Sequence, residues 1–195
     1  AKTVLIVSGS KHRKLNIPGE KEFDGRGVAY CSTCDAPMFQ GKNVVVVGGG
    51  NAGLEAVLDL SHYASKIYLF IRSNSLKGDQ TTQDKISKDP KVEILFNVEV
   101  KEILGNILVD SVCYEDKKEN NIKVLKVEGV FVEIGLEPVS EIAKGLVELN
   151  ERGEVKVDAR TQQTSVAGIW SAGDVSDGLY RQNNISAGDA IKAVM

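Results

Sequence analysis

Long apolar runs, one-sided charge and abundant cysteine are all missing from this sequence, and each absence removes a class of function. The longest apolar stretches, such as Val44 to Val47 and Val130 to Val132, are strand length and far short of the roughly 20 residues a membrane span needs. No signal-peptide pattern precedes them, so no membrane partner is expected. Lys and Arg number 24 against 27 Asp and Glu, a formal charge of -3, with no basic stripe or block of like charge to draw nucleic acid or anionic lipid. Three cysteines are too few for a secreted disulfide framework, and a reducing cytoplasm is the expected compartment. What remains is a soluble globular chain whose 195 residues, 42% of them hydrophobic, can bury one good core or two small ones.

Glycine and proline punctuate the chain. Thr3 to Val7 reads as a short buried strand ending at Ser8-Gly9-Ser10, and Lys11 to Arg26, polar and interrupted by Pro18-Gly19, reads as a connection between domains. From Lys42 the pattern becomes strand (Val44 to Val47), glycine loop, amphipathic helix (about Asn51 to Tyr63) and second strand (Lys66 to Ile71), the opening of a right-handed βαβ unit. A helix is expected over Thr81 to Ser87. Short strands follow at Val92 to Phe96, Val98 to Leu104, Ile107 to Tyr114 and Ile122 to Val127, with Glu115 to Asn121 as a hairpin turn. The apolar strand Gly129 to Ile134 stops at Gly135-Leu136-Glu137-Pro138, a second linker candidate. Beyond it strands are expected at Glu154 to Val157 and Gly168 to Ala172, the latter ending in Gly173-Asp174, and a final helix from about Gln182 to Met195.

Two motifs carry chemistry. Gly48-Gly49-Gly50-Asn51-Ala52-Gly53 follows a strand and opens a helix, the context in which a G-x-G-x-x-G binds a dinucleotide. Gly48 is expected to make the tight turn, Gly50 to let backbone approach a pyrophosphate, and Gly53 to let the helix pack closely, with the helix N-terminus facing the phosphate charge. A tight strand-to-helix turn without a ligand is the plainer alternative. At the end of the second strand, where an acid would favour NAD, the chain has Arg72-Ser73. Arg72 can pair with the 2′-phosphate of NADPH or stand as a solvated side chain, and the choice between NADPH and NADH stays open.

The second motif is Cys31-Ser32-Thr33-Cys34 with Asp35 alongside. Two thiols at this spacing can close a small disulfide, lower each other's pKa and pass electrons by exchange, with Asp35 as a proton donor. A zinc site would need two more ligands from Cys113, His12 and His62, none at a pairing spacing. A structural thiol pair is the third reading. Cys113 is expected to be a buried small apolar residue.

Taken together, Cys31-Ser-Thr-Cys34-Asp35-Ala36-Pro37, the loop Gly48 to Gly53 with Leu54-Glu55-Ala56, and Ser171-Ala172-Gly173-Asp174-Val175 followed by Tyr180-Arg181-Gln182 resemble the low-molecular-weight thioredoxin reductases and the flavoprotein subunit of alkyl hydroperoxide reductase. Leu76-Lys77-Gly78-Asp79-Gln80 with Gln83-Asp84-Lys85 is closer to the latter. The resemblance implies an α/β fold in which a Rossmann-like nicotinamide-binding domain with a β-meander, residues 14–138, is inserted in a partial FAD-binding domain made of 1–13 and 139–195. The ADP-binding βαβ half of that FAD domain has no counterpart in the sequence. Implied FAD contacts are Ser8, Gly9, Gly173, Asp174, Arg181 and Gln182. Implied nicotinamide contacts are Gly48, Gly50, Asn51, Gly53, Arg72 and Gly135. The same resemblance implies catalysis by Cys31, Cys34 and Asp35, with Cys34 nearer the flavin and Cys31 attacking the disulfide of a thioredoxin-like or glutaredoxin-like protein or serving a peroxiredoxin system. It also implies a homodimer and rotation of the inserted domain, with Gly25-Arg26-Gly27 and Gly135 to Pro138 as hinge candidates.

Overall fold

The computed structural model describes residues 1–195, which divide into two compact units: Ala1–His12 with Leu136–Met195, and Arg13–Gly135.

The central unit is a parallel sheet covered on both faces. Five strands lie in the order β3 (Val28–Ala29), β10 (Gly129–Val132), β4 (Asn43–Val47), β5 (Lys66–Ile71) and β6 (Val92–Phe96), every pairing parallel. Alternation along the strands sorts their side chains. Val44 and Val46 face a core with Leu54, Val57 and Leu60 of helix α2 (Asn51–Ser61) and Ile86 of helix α3 (Gln80–Ile86). Val45, Phe70 and Val130 face the other way, onto Val100, Ile103, Val112 and Tyr114 of an antiparallel meander. Its strands are β7 (Val98–Gly105), β8 (Val109–Asp116) and β9 (Asn121–Lys126). A parallel sheet needs such double cover, which is why its strands read as near-continuous apolar runs.

The smaller unit pairs β1 (Val4–Ile6) with β12 (Ile169–Ser171) in parallel and β2 (Ser10–His12) with β11 (Leu136–Pro138) antiparallel. Ile6, Ala143, Val147, Val155 and Val175 form its core. Helix α4 (Asn183–Val194) ends it, with Gln182 as N-cap residue.

Four expectations are corrected. Lys11 to Arg26 is not a loose connection. Residues from Arg13 on belong to the central unit, Phe23 is buried, and buried Glu20 accepts the Leu15 and Asn16 N–H groups at 2.8 and 2.7 Å and the Tyr30 hydroxyl at 3.0 Å. Gly25-Arg26-Gly27 is no hinge either: the Gly27 carbonyl accepts Val130 N–H at 2.8 Å, and a β-carbon on Gly27 would lie 2.7 Å from Val109. The chain crosses between the units at His12–Arg13, not at Gly25–Gly27, and at Gly135–Leu136, inside the second hinge candidate Gly135 to Pro138. Glu154 to Val157 forms no strand, only single bridges from Val155 to Leu149 and Ser176. Cys113, on a strand whose register places it opposite Glu102 and Val124, is half-exposed rather than buried.

Candidate functional site

A crevice of about 690 Å3 opens at the carboxyl ends of β4, β5 and β10, the edge where open α/β sheets hold ligands, and the glycine loop forms part of its floor. The glycines divide the work. Gly48 has φ +137°, and a β-carbon there would lie 2.2 Å from the Glu133 carbonyl oxygen. On Gly53 it would lie 2.0 Å from the Gly48 carbonyl oxygen, so this glycine lets α2 pack against the loop itself. On Gly50, the N-cap residue of α2, it would meet nothing within 4 Å. Space is therefore left where a pyrophosphate has to approach backbone N–H groups and the positive end of a helix. The donor set and the open cradle fit a dinucleotide.

Arg72 and Gly135 both line this crevice, Arg72 at the end of β5 with Ser73 and Lys77 nearby, and Gly135, at φ +100°, past the end of β10. Asn51 lines it too, but its side-chain oxygen accepts Asp79 N–H at 2.7 Å and so ties α2 to the segment leading into α3.

Cys31 and Cys34 are joined in a disulfide, with Cα atoms 5.3 Å apart. Cys31 is the N-cap residue of the single-turn helix α1 (Ser32–Asp35) and Cys34 lies within it, and the Cys31 sulfur accepts the Cys34 N–H at 3.2 Å as its cap. Cys34 is exposed, whereas Cys31 and Asp35 are half-buried. Asp59 of α2 holds α1 from below, its carboxylate accepting the Ser32 and Thr33 hydroxyls at 2.8 and 3.2 Å. The disulfide and the crevice thus belong to one unit and share α2.

One residue absent from the sequence-based set joins them. Glu133 lines the crevice and donates its N–H to the Val47 carbonyl at 2.9 Å, and the Ser32 N–H is near enough to act on its carboxylate electrostatically. Burial pushes its pKa up to about 7, the Ser32 N–H pulls the other way, and the negative charges of Asp59 and Glu55 add to the rise. The only signal for it in the sequence is an acid directly after four apolar strand residues.

The expected flavin contacts all fall in the smaller unit. Ser8-Gly9 follows β1 and Gly173-Asp174 follows β12, at the carboxyl ends of two paired parallel strands. Gly9 has φ +71° with open space where a β-carbon would sit, and Gly173 has φ +74°. The Asp174 carboxylate accepts the Ser10 and Ser186 hydroxyls at 3.0 and 3.4 Å. Arg181 is engaged on the protein itself: it donates to the Asp174 carbonyl at 2.7 Å and pairs with buried Glu154. Gln182 is exposed at the start of α4 and makes no side-chain capping bond. Paired strand ends with glycines at both suit a flavin nucleotide, whose phosphate and ribityl groups need close backbone approach.

A profile described as pyridine nucleotide-disulphide oxidoreductase matches residues 1–190. The chain belongs to that family. Family members use FAD and NAD(P)H. An alkyl hydroperoxide reductase subunit of Pseudomonas putida is 42% identical over 194 residues, covering 99% of this chain and 37% of the relative. A Bacillus subtilis (strain 168) protein named NADH dehydrogenase is 40% identical over 195 residues, covering all of this chain and 38% of that protein. The crystal structure of T. acidophilum thioredoxin reductase superposes with a TM-score of 0.82 at 37% identity, over 99% of this chain and 64% of that one. The chain thus spans little more than a third of the curated relatives' length. Its mixed α/β fold with a parallel sheet is that of the thioredoxin reductases, and it carries the redox Cys-x-x-Cys of this type of oxidoreductase.

Proposed function

We propose that this chain is the disulfide-bearing part of an FAD-dependent NAD(P)H:disulfide oxidoreductase that delivers electrons through Cys31 and Cys34 to a protein disulfide. The observation that carries the reading is a closed, partly exposed Cys31–Cys34 bond in the same unit as an open glycine-loop crevice. Gly48, Gly50, Gly53 and Arg72 would hold the nicotinamide dinucleotide. Ser8, Gly9, Gly173 and Asp174 would hold the flavin nucleotide, which supplies a two-electron carrier when bound.

The protein's own sulfur chemistry then balances as an exchange. With both thiols reduced, a Cys31 thiolate attacks one sulfur of the partner disulfide and displaces the other as a thiolate. Cys34 attacks the Cys31 sulfur of the mixed disulfide, restoring the Cys31–Cys34 bond and releasing the partner's second thiol. Two electrons pass to the partner. The Cys34 N–H that caps the Cys31 sulfur favours the thiolate there, which supports Cys31 as the attacking atom although Cys34 is the more exposed. Asp35, directly after Cys34, moves the protons between thiols and water.

The partner is a thioredoxin-like or glutaredoxin-like disulfide. The 42% identity with an alkyl hydroperoxide reductase chain favours a peroxidase-linked system as the second reading. Trapping tests the assignment. Reduced Cys34→Ser protein should form a stable mixed disulfide with a thioredoxin-like disulfide protein, whereas Cys31→Ser should not. Equal trapping by both variants, or by neither, would overturn it.

A further inference from the structure

Both residues inside the disulfide loop are tied to one point on α2. The Ser32 hydroxyl donates to Oδ2 of Asp59 at 2.8 Å, and the Thr33 hydroxyl donates to the same oxygen at 3.2 Å. No other residue lies between Cys31 and Cys34, so the whole span from one sulfur to the other is pinned. The helix it is pinned to is firmly seated, since Leu54, Ala56, Val57 and Leu60 of α2 are fully buried in the core with Val44 and Val46 of the parallel sheet. A third contact, from the Cys34 N–H to the Cys31 sulfur at 3.2 Å, closes the loop on itself.

Opening the Cys31–Cys34 bond turns two bonded sulfurs into two that repel at van der Waals contact, so the loop has to widen. A loop pinned through Ser32 and Thr33 resists the widening and keeps each thiol within reach of the other, the proximity that makes an exchange step effectively intramolecular.

We propose that Asp59 is a positioning residue for the redox pair. Through the Ser32 and Thr33 hydroxyls it raises the effective concentration of Cys34 at the Cys31 sulfur, so that a mixed disulfide is resolved quickly and the reduced pair is a stronger electron donor. This rests on the exchange reading of Cys31 and Cys34 given above. In the step concerned the Cys34 thiolate attacks the Cys31 sulfur, the Cys31–Cys34 bond forms, the bond from Cys31 to the partner breaks, and the partner sulfur leaves as a thiolate. The charge of Asp59 pushes the equilibrium the same way, because a nearby negative charge disfavours thiolates. Tether and charge are separated by removing the hydroxyls and the carboxylate independently.

Glutathione is the probe. Equilibrating the 195-residue chain with reduced and oxidised glutathione, and counting the closed, reduced and singly glutathionylated forms by mass spectrometry, reads the effective concentration. Loss of the tether should cut it about fivefold, the scale of one net hydrogen bond. The midpoint then rises by about 20 mV, and the glutathionylated fraction grows. Ser32→Ala/Thr33→Val, which keeps Asp59 and both cysteines, should show this, and Thr33→Val alone, at an exposed position, should show a smaller change of the same sign. Asp59→Asn should also lower the value, and combined with the hydroxyl variant it should fall short of the product of the separate effects. A merely structural Asp59 would lower the urea stability of the oxidised and reduced chains alike and leave the effective concentration unmoved. An unmoved value in the hydroxyl variants, or effects that multiply in full and so assign Asp59 to charge alone, overturns the inference. A wild-type pair that glutathione cannot open and reclose overturns the exchange reading itself, which is a distinguishable result.

Discussion

Two neighbouring glycines should respond to the same substitution in opposite ways. Gly50→Ala places a methyl group in open space, with no atom within 4 Å, on a backbone at φ -90° that any residue can adopt. Folding should change by less than about 1 kcal/mol, the scale of an N-cap substitution. The same methyl group fills the space a pyrophosphate needs, and the affinity for NADH and NADPH should drop tenfold or more, about 1.4 kcal/mol. Gly53→Ala puts its β-carbon 2.0 Å from the Gly48 carbonyl oxygen, whereas ordinary carbon–oxygen contacts begin near about 3.3 Å. The backbone must open by more than about 1 Å against a helix face of fully buried Leu54, Ala56, Val57 and Leu60. Overpacking of that kind costs about 1–3 kcal/mol. Alanine's helix propensity returns up to about 1 kcal/mol, and because a carbonyl rather than a side chain has to yield, a net loss near about 2 kcal/mol is expected. Urea unfolding followed by circular dichroism reads the first quantity, and calorimetric titration with NADH the second. A Gly50→Ala protein that binds NADH as tightly as wild type, or a Gly53→Ala protein of undiminished stability, would refute the division of roles.

Asp59→Asn removes the charge that anchors the Ser32 and Thr33 hydroxyls. A loss of about 1 kcal/mol in local anchoring should speed reduction of Cys31–Cys34 by dithiothreitol roughly fivefold, as counted by thiol titration, and an unchanged rate would mean that α1 is held by other contacts. Arg181→Ala should destabilise the protein by about 2–3 kcal/mol in urea. It strands the Glu154 carboxylate, whose side chain is 7% exposed, but the full penalty of a buried pair is reduced because Arg181 is 24% exposed and Asn150 still donates to Glu154. Arg72→Ala should weaken NADPH binding more than NADH binding, with a gap that closes as salt is raised; equal losses would remove Arg72 from the 2′-phosphate.

The parallel sheet was legible because its central strands β4, β5 and β10 are buried on both faces and its edge strand β6 is still mostly apolar. Lys66–Ile71 and Val92–Phe96 are apolar enough to be bounded to the residue from sequence, and the glycine loop announced the turn between β4 and α2. Short pairings were not legible. β3 has two residues and β2 and β11 three each, too few for any periodicity. Lys11 to Arg26 looked like a linker because its order comes from scattered anchors, buried Phe23 and a buried acid, Glu20, satisfied by the Leu15 and Asn16 N–H groups and the Tyr30 hydroxyl, and hydropathy counts such an acid as surface. Spacing identified the cysteine pair, but nothing local to it revealed Asp59 or Glu133, which reach the loop from α2 and from the end of β10. Arg181 shows the opposite limit. A residue singled out for a ligand has its guanidinium committed to Glu154 and the Asp174 carbonyl.

Electron transfer through this chain requires that the Cys31–Cys34 bond be a carrier rather than a staple. It closes a loop with a sequence separation of 3, and so short a loop constrains the unfolded chain by no more than about 2 kcal/mol, which leaves the bond open to exchange. Equilibrating the chain in dithiol buffers of graded potential and counting thiols measures this directly. Half-reduction between about -180 and -270 mV, the band of thiol–disulfide exchange proteins, with the fold retained, is the predicted result. A midpoint below about -300 mV, or unfolding as the bond opens, would contradict it.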